Sequence, residues 1–221
     1  MDNSDHTSPH LRLEFDLDGL KIGQNAVHFF VADFELESET RHPRRFEIEN
    51  SSKGQHIHLL VDDQPYMARY NNSANIDLTI GEHTIVAFLS RSYHESIKSD
   101  HAFIWKNLLV NNDGVTEVET QFPQMIYSRP KGDYYLENPA IDPVLLDFYL
   151  KDTDLNDGNF IIAQINGLMF KIDSWAPYYI TGLGVGTHEV HLKLVDSKGK
   201  LIEGPTNDSG IRKITINKQQ K

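Results

Sequence analysis

The chain has 221 residues, 39% apolar and 24% charged, with 14 glycines and 9 prolines, a composition that excludes collagen-like and disordered classes. No apolar run approaches the roughly 18 residues needed to cross a bilayer as a helix, and the lack of any cysteine removes disulfides, thiolate zinc sites and cysteine nucleophiles. The 21 Lys/Arg stand against 32 Asp/Glu for a net charge of -11, concentrated in residues 1–122, where 10 cations face 20 anions. That sign repels phosphate backbones, so no nucleic-acid partner is expected. Arg41, Arg44 and Arg45, and Arg212 with Lys213, read as solvated surface.

Met1 opens the polar run Asp-Asn-Ser-Asp-His-Thr-Ser-Pro-His, with neither a charged n-region nor an apolar h-region, so no signal peptide is expected in this chain. Two readings stay open. One is a cytosolic start with a frayed tail. The other is a mature exported chain whose residues 1–10 form a flexible tether, like the spacer of a lipoprotein.

Period-two alternation bounded by Gly, Asn, Asp and Pro marks strands and turns along the whole chain. Leu11, Leu13, Phe15 and Leu17 alternate with charged residues up to an Asp18-Gly19 turn. Val27, Phe29 and Val31 form the next strand, continuing toward Phe34 and Leu36. Residues 56–61 (His-Ile-His-Leu-Leu-Val) are rich in strand formers and stop at Asp62-Asp63-Gln64-Pro65. Thr84 to Leu89 follows a Gly81-Glu82 turn, and residues 102–110 run to the breaker Asn111-Asn112-Asp113-Gly114. The second half repeats the plan with Val144, Leu146, Phe148 and Leu150, then Ile161, Ala163 and Ile165 before an Asn166-Gly167 hairpin turn, then Val190, Leu192 and Leu194, and finally Ile211 to Ile216. No amphipathic helix of three turns is visible.

Sliding the sequence by 105 residues superimposes Leu78-Thr-Ile-Gly-Glu-His83 on Leu183-Gly-Val-Gly-Thr-His188 and Leu89 on Leu194. A repeat of that length is one small sandwich. The expected fold is all-β: two tandem immunoglobulin-like or fibronectin-like β-sandwich domains, over residues 11–115 and 123–217, with a linker near 111–126. The same shift sets His56, His58 and Leu60 on Ile161, Ala163 and Ile165, and so predicts that both histidines face the core.

His56-Ile57-His58 is the sharpest chemical feature. Residues i and i+2 of a strand share a face, so both rings point one way and can ligate one zinc or copper ion given a further ligand. The expected metal set is His56, His58 and His83, with His94, Glu95 and His101 in or after the next loop and Asp62 and Asp63 at the strand's end. The bland alternative is hydrogen-bonded structural histidines, and His83 has a counterpart in His188. A second candidate is the loop 91–98, where Arg91, Tyr93, His94, Glu95 and Lys98 gather cations, hydroxyls and an imidazole in an acidic domain. Such a group suits an anionic small ligand or peptide. The run 152–159 resembles a calcium loop, but Gly158 falls seventh and Ala163 twelfth, which breaks the EF-hand pattern. Trp175, Tyr178 and Tyr179 offer either core aromatics or a sugar-stacking platform. No catalytic constellation stands out, and no enzyme is expected.

The runs Lys53-Gly-Gln-His56-Ile-His58-Leu-Leu-Val-Asp-Asp-Gln-Pro65-Tyr66, Gly81-Glu-His83 and Ser90-Arg-Ser-Tyr-His-Glu-Ser-Ile-Lys98, with Tyr127-Ser-Arg-Pro-Lys-Gly132 and Trp175-Ala-Pro-Tyr-Tyr179, resemble a family of bacterial envelope lipoproteins often labelled "phosphopeptide-binding protein". The resemblance implies an exported protein, lipid-anchored where the family's cysteine is present, with membrane association only through that anchor. The expectation is a non-enzymatic binding or accessory protein of the envelope with its ligand site on the first domain and an envelope protein or anionic ligand as partner. Metal binding through the histidines, glycan binding, and a structural place in an outer-membrane assembly are the alternatives.

Overall fold

The structure is a computed structural model that describes residues 9–14, 19–42, 48–120, 122–155 and 158–219. The expectations for residues 1–8, Phe15, Leu17, Asp18, Arg44, Arg45, Asn156 and Asp157 lie outside the described residues. The chain divides into two compact units, one of Met1–Thr40 and Ser51–Thr120, the other of Arg41–Asn50 and Gln121–Lys221. Both are all-β sandwiches, and no α-helix occurs among the described residues.

In the first unit one sheet holds β1 (His10–Glu14), β2 (Gly23–Ala32) and β5 (Ser73–Leu78), in the order β1-β2-β5. The other holds β3 (His56–Val61), β4 (Met67–Arg69), β6 (Gly81–Ser90), β7 (Phe103–Asn111) and β8 (Gly114–Glu117), in the order β4-β3-β6-β7-β8. Strand β2 alternates cleanly between buried and exposed residues, and Val27, Phe29, Ile76 and Leu78 meet Ile57, Leu59, Ile85, Ala87 and Leu89 across the sandwich. Strand β6 behaves differently: it is buried on both faces from His83 to Ser90.

The second unit sets β9 (Gln124–Arg129), β11 (Val144–Lys151) and β14 (Tyr178–Ile180), in the order β14-β11-β9, against β10 (Gly132–Leu136), β12 (Phe160–Ile165), β13 (Leu168–Ile172), β15 (Gly186–Val195) and β16 (Arg212–Lys218), in the order β10-β16-β15-β12-β13. Its core is Phe148, Leu146, Leu150, Ile161, Ala163, Val190, Leu192 and Leu194. Asn166 and Gly167 both take positive φ, 49° and 86°, and close the β12–β13 hairpin as the sequence predicts. Between β9 and β10 the chain changes sheets, and β10 pairs parallel to β16.

At that crossing the buried Arg129 donates to Glu49 at 2.8 Å and to the Tyr134 hydroxyl at 3.0 Å. Burial and the Arg129 charge lower the neighbouring Lys131 to about 8. Roughly half of Lys131 is then neutral at pH 8, against under about 1% of an ordinary lysine. Limited acylation with an amine-selective reagent at pH 8, read by peptide mapping, is expected to modify Lys131 ahead of the other lysines.

The two units reveal where the gapless repeat breaks. Leu89 pairs with Ile57, and Leu194 pairs with Ile161. The shift is therefore 105 residues on β6 and β15 but 104 on β3 and β12, because the connection from Ile165 to Gly186 is one residue longer than that from Val61 to Gly81. A one-residue slip exchanges the faces of a strand. Ile57 and Leu59 face the core, and His56 and His58 face away from it, contrary to the expectation from the 105-residue shift.

Candidate metal centre

Although they point away from the sandwich interior, His56 and His58 are fully buried, each 0% exposed. They lie on β3 opposite Ser90 and Phe88 of β6. Beyond Ser90 the chain folds into a tight turn: His94 N–H donates to Arg91 O, Arg91 N–H to Glu95 O, and Ile97 N–H returns to Leu89 O, each at 2.9 Å. Thr40 and Ser92 exchange backbone-to-hydroxyl hydrogen bonds at 3.1 and 3.0 Å, and Ser51 N–H donates to Ser92 O at 2.8 Å. The turn is thereby held down, and His94, in the left-handed region at φ 69°, is 7% exposed.

The three rings converge. His56 Nε2 lies 2.9 Å from His58 Nε2 and 3.2 Å from His94 Nδ1, and one ligand nitrogen from each ring falls within 4.8 Å of the others. The other nitrogen of His56, Nδ1, sits 2.9 Å from the Gly54 carbonyl oxygen. A carbonyl can only accept, so Nδ1 carries the hydrogen and Nε2 presents its lone pair at the point of convergence. Metal-ligating histidines are oriented by such a second hydrogen bond. Nitrogens about 2.0–2.1 Å from one ion at tetrahedral angles stand roughly 3.4 Å apart; the His56–His58 and His56–His94 pairs lie near that spacing, while the set as a whole spans up to 4.8 Å and would have to draw in around an ion. Tyr66 stacks on His58 at 3.7 Å between centroids, Phe88 lies 5.1 Å from His58, and Tyr70 lies 4.9 Å from His56 and shares a 2.7 Å hydrogen bond with Ser51.

His83 is not brought to this cluster. Its Nδ1 is 2.8 Å from Asp62 Oδ2 and its Nε2 is 2.9 Å from Thr79 O, while Asp62 Oδ1 accepts the Thr84 N–H. The second unit repeats the device: His188 meets Asn166 and Gly184 O, and Asn166 Oδ1 accepts the Glu189 N–H. Asp62 and Asn166 both take positive φ, so the motif pins the end of one strand to the start of another. His94, rather than the expected His83, is therefore the histidine that joins His56 and His58. His101 is exposed and stacks on His10.

Of the loop expected to meet an anionic ligand, Tyr93 and His94 turn inward while Arg91, Glu95 and Lys98 stay half-exposed. Tyr93 is 2% exposed, Arg91 lies 3.8 Å from Glu95, and Lys98 donates to Ser96 Oγ at 2.9 Å. In the second unit Trp175 is half-buried, donates to Phe148 O and meets Tyr149 edge-on, packed on the core rather than displayed as a platform. Tyr178 and Tyr179 line a cleft of about 420 Å³ with Ile165, Phe170 and Ile180.

Gly54, Tyr66 and Tyr70 were not singled out as site residues by sequence reasoning. The signal for Gly54 was its place two residues before the His-X-His pair.

No family model and no curated protein matches this chain. Among solved structures it is similar to fibronectin(III)-like modules of Clostridium thermocellum CbhA, at 12% identity over 95% of this chain and 94% of that one, TM-score 0.30. It is also similar to SGBP-B of the Bacteroides ovatus mixed-linkage glucan utilization locus, solved with a mixed-linkage heptasaccharide, at 9% identity over 97% of this chain and 72% of that one, TM-score 0.28.

Proposed function

We propose that this protein is a non-enzymatic metal-binding module, with zinc or copper held in the first sandwich by His56, His58 and His94. The observation that carries the reading is the convergence of three buried imidazole nitrogens, two of them 2.9 Å apart. Imidazole is a ligand for zinc and for copper, and the Gly54 carbonyl supplies the orienting partner. The inward fold of Tyr93 and His94 favours this over capture of an anionic ligand by the 91–98 loop. No helix of the described residues is long and apolar enough to cross a membrane, and an exported, envelope setting rests on the sequence resemblance alone.

The test is elemental analysis of tagless protein followed by thermal melts with zinc, with copper and with chelator. About one ion per chain, and a melting temperature raised by metal and lowered by chelator, is the expected result. A metal-free protein whose melt ignores all three additions overturns the reading.

A further inference from the structure

We infer that the first unit carries a second binding site, for the carboxylate of a small organic acid, in the cleft lined by the end of β4 and the turn before β3. It stands apart from the metal-binding reading. Two cations, Lys53 and Arg69, line this one cleft of about 600 Å³, a volume in the range of small-molecule sites. Each is held by its own element. Arg69 ends β4, the edge strand of its sheet, and pairs with Ile57. Lys53 sits in a turn where its N–H donates to Ser51 Oγ at 3.2 Å and Gly54 N–H donates to Ser51 O at 3.0 Å. The same Ser51 hydroxyl meets the Tyr70 hydroxyl at 2.7 Å and ties the turn to the end of β4. The Lys53 ammonium rests over the Tyr70 ring, 5.4 Å from its centroid.

Both cations have donors to offer. Neither forms an ion pair among the described residues. Arg69 Nε is buried with no hydrogen-bond partner, and Nη2 donates to the Met67 sulfur at 3.3 Å, a weak acceptor. A guanidinium is shaped to take a carboxylate on two parallel N–H donors. Asn71 uses its carbonyl oxygen on the Ser73 N–H and hydroxyl, at 3.2 and 3.3 Å, which leaves its amide NH2 to donate. Ala68 and the half-buried Tyr70 ring supply apolar surface for the organic part. The charge of the ligand follows from its surroundings. Glu37 also lines the cleft, and residues 1–122 carry 20 acids against 10 cations. Both repel an anion in proportion to its charge. A carboxylate with a single charge is therefore favoured over a phosphate group, which carries about 1.5–2 at pH 7.

The experiment titrates the isotope-labelled whole chain, without added metal, with benzoate, with benzamide as its uncharged counterpart and with inorganic phosphate, and follows the amide nuclear magnetic resonance spectrum. Benzoate is expected to shift the signals of Lys53, Arg69, Tyr70 and Asn71 along one saturating curve in the millimolar range, with benzamide and phosphate each about tenfold or more weaker. In Lys53→Gln, at an exposed position, and in Arg69→Gln the benzoate curve should weaken by about tenfold or more, the value of a charge-assisted hydrogen bond. The rest of the spectrum should keep its pattern in both, as the check on folding. Benzoate binding no tighter than benzamide, shifts scattered away from this cleft, or full benzoate affinity in Lys53→Gln overturns the site. Phosphate binding there more tightly than benzoate overturns the carboxylate assignment. Each of these results leaves the metal-binding reading untouched.

Discussion

His58→Phe is expected to abolish the gain in thermal stability that metal confers, in addition to the roughly 1–3 kcal/mol that losing the buried contact with His56 Nε2 takes from the metal-free protein. Phenylalanine keeps a flat ring against Tyr66, which stacks on His58 at 3.7 Å, but offers no lone pair. An ion at a hundred times its dissociation constant stabilises the state that binds it by about 2.7 kcal/mol, and each kcal/mol moves the midpoint of a 60–100-residue domain by roughly 4–8 °C. The expected loss is therefore at least about 10 °C in the transition of the first unit, read by calorimetry with and without metal. His83→Ala serves as the contrast. It should lower the melt by breaking the Asp62 and Thr79 contacts, yet keep the metal-dependent increment. An unchanged increment in His58→Phe would show that the ion sits elsewhere.

Gly54→Ala should cost about 2–6 kcal/mol and weaken metal binding as well. A Cβ on Gly54 would lie 2.6 Å from the carbonyl carbon and oxygen of Glu37 and from Ser38 O. These are backbone atoms that cannot rotate aside, because Gln55 N–H donates to Ser38 O and Glu37 N–H to Gln55 O. The residue also sits at φ 83°, a region that penalises a side chain by roughly 1–3 kcal/mol, and overpacking adds about 1–3 kcal/mol. Any shift of Gly54 moves the carbonyl that orients His56, and loss of such a partner typically weakens a metal site about 10–100-fold. Gly199→Ala is the control: it has φ 78° and open space around a new Cβ, so it should show the backbone penalty alone. Equal losses in the two variants would remove the close approach as a cause.

Much of the fold was readable because burial on one face of a strand imposes alternation. Val27 and Phe29, the Asn166-Gly167 turn and the Leu192–Leu194 pair all fall where the pattern placed them. What the pattern could not carry was a single residue of loop length. The 105-residue shift is right for Leu89 and Leu194 and wrong for His56, and one position is enough to send both imidazoles to the other face. Alternation is also blind where both faces are covered. Strand β6 is buried from His83 to Ser90, so nothing in its spacing announces that the outer side of the sheet is sealed, or that His94 closes over it. The parallel pairing of β10 with β16 is likewise a crossing between sheets that local periodicity does not register. Of the site, the His-X-His pair was legible from strand geometry. Its third member was legible only by halves: the His188 counterpart already marked His83 as a feature of both units, which the Asp62 and Asn166 pairings bear out, but no spacing placed His94 beside the pair.

The turn that carries His94 also sets a clock. On the metal-binding reading, an ion there would sit beneath a turn held by the hydrogen bonds of Arg91, His94 and Ile97 and by the Thr40–Ser92 exchange, so its residence time would depend on the opening of that segment as well as on the nitrogen–metal bonds. Equilibrium affinity and speed of delivery are then separate properties, governed by different residues: the imidazoles decide how much is held, and Thr40, Ser51 and Ser92 help decide how long.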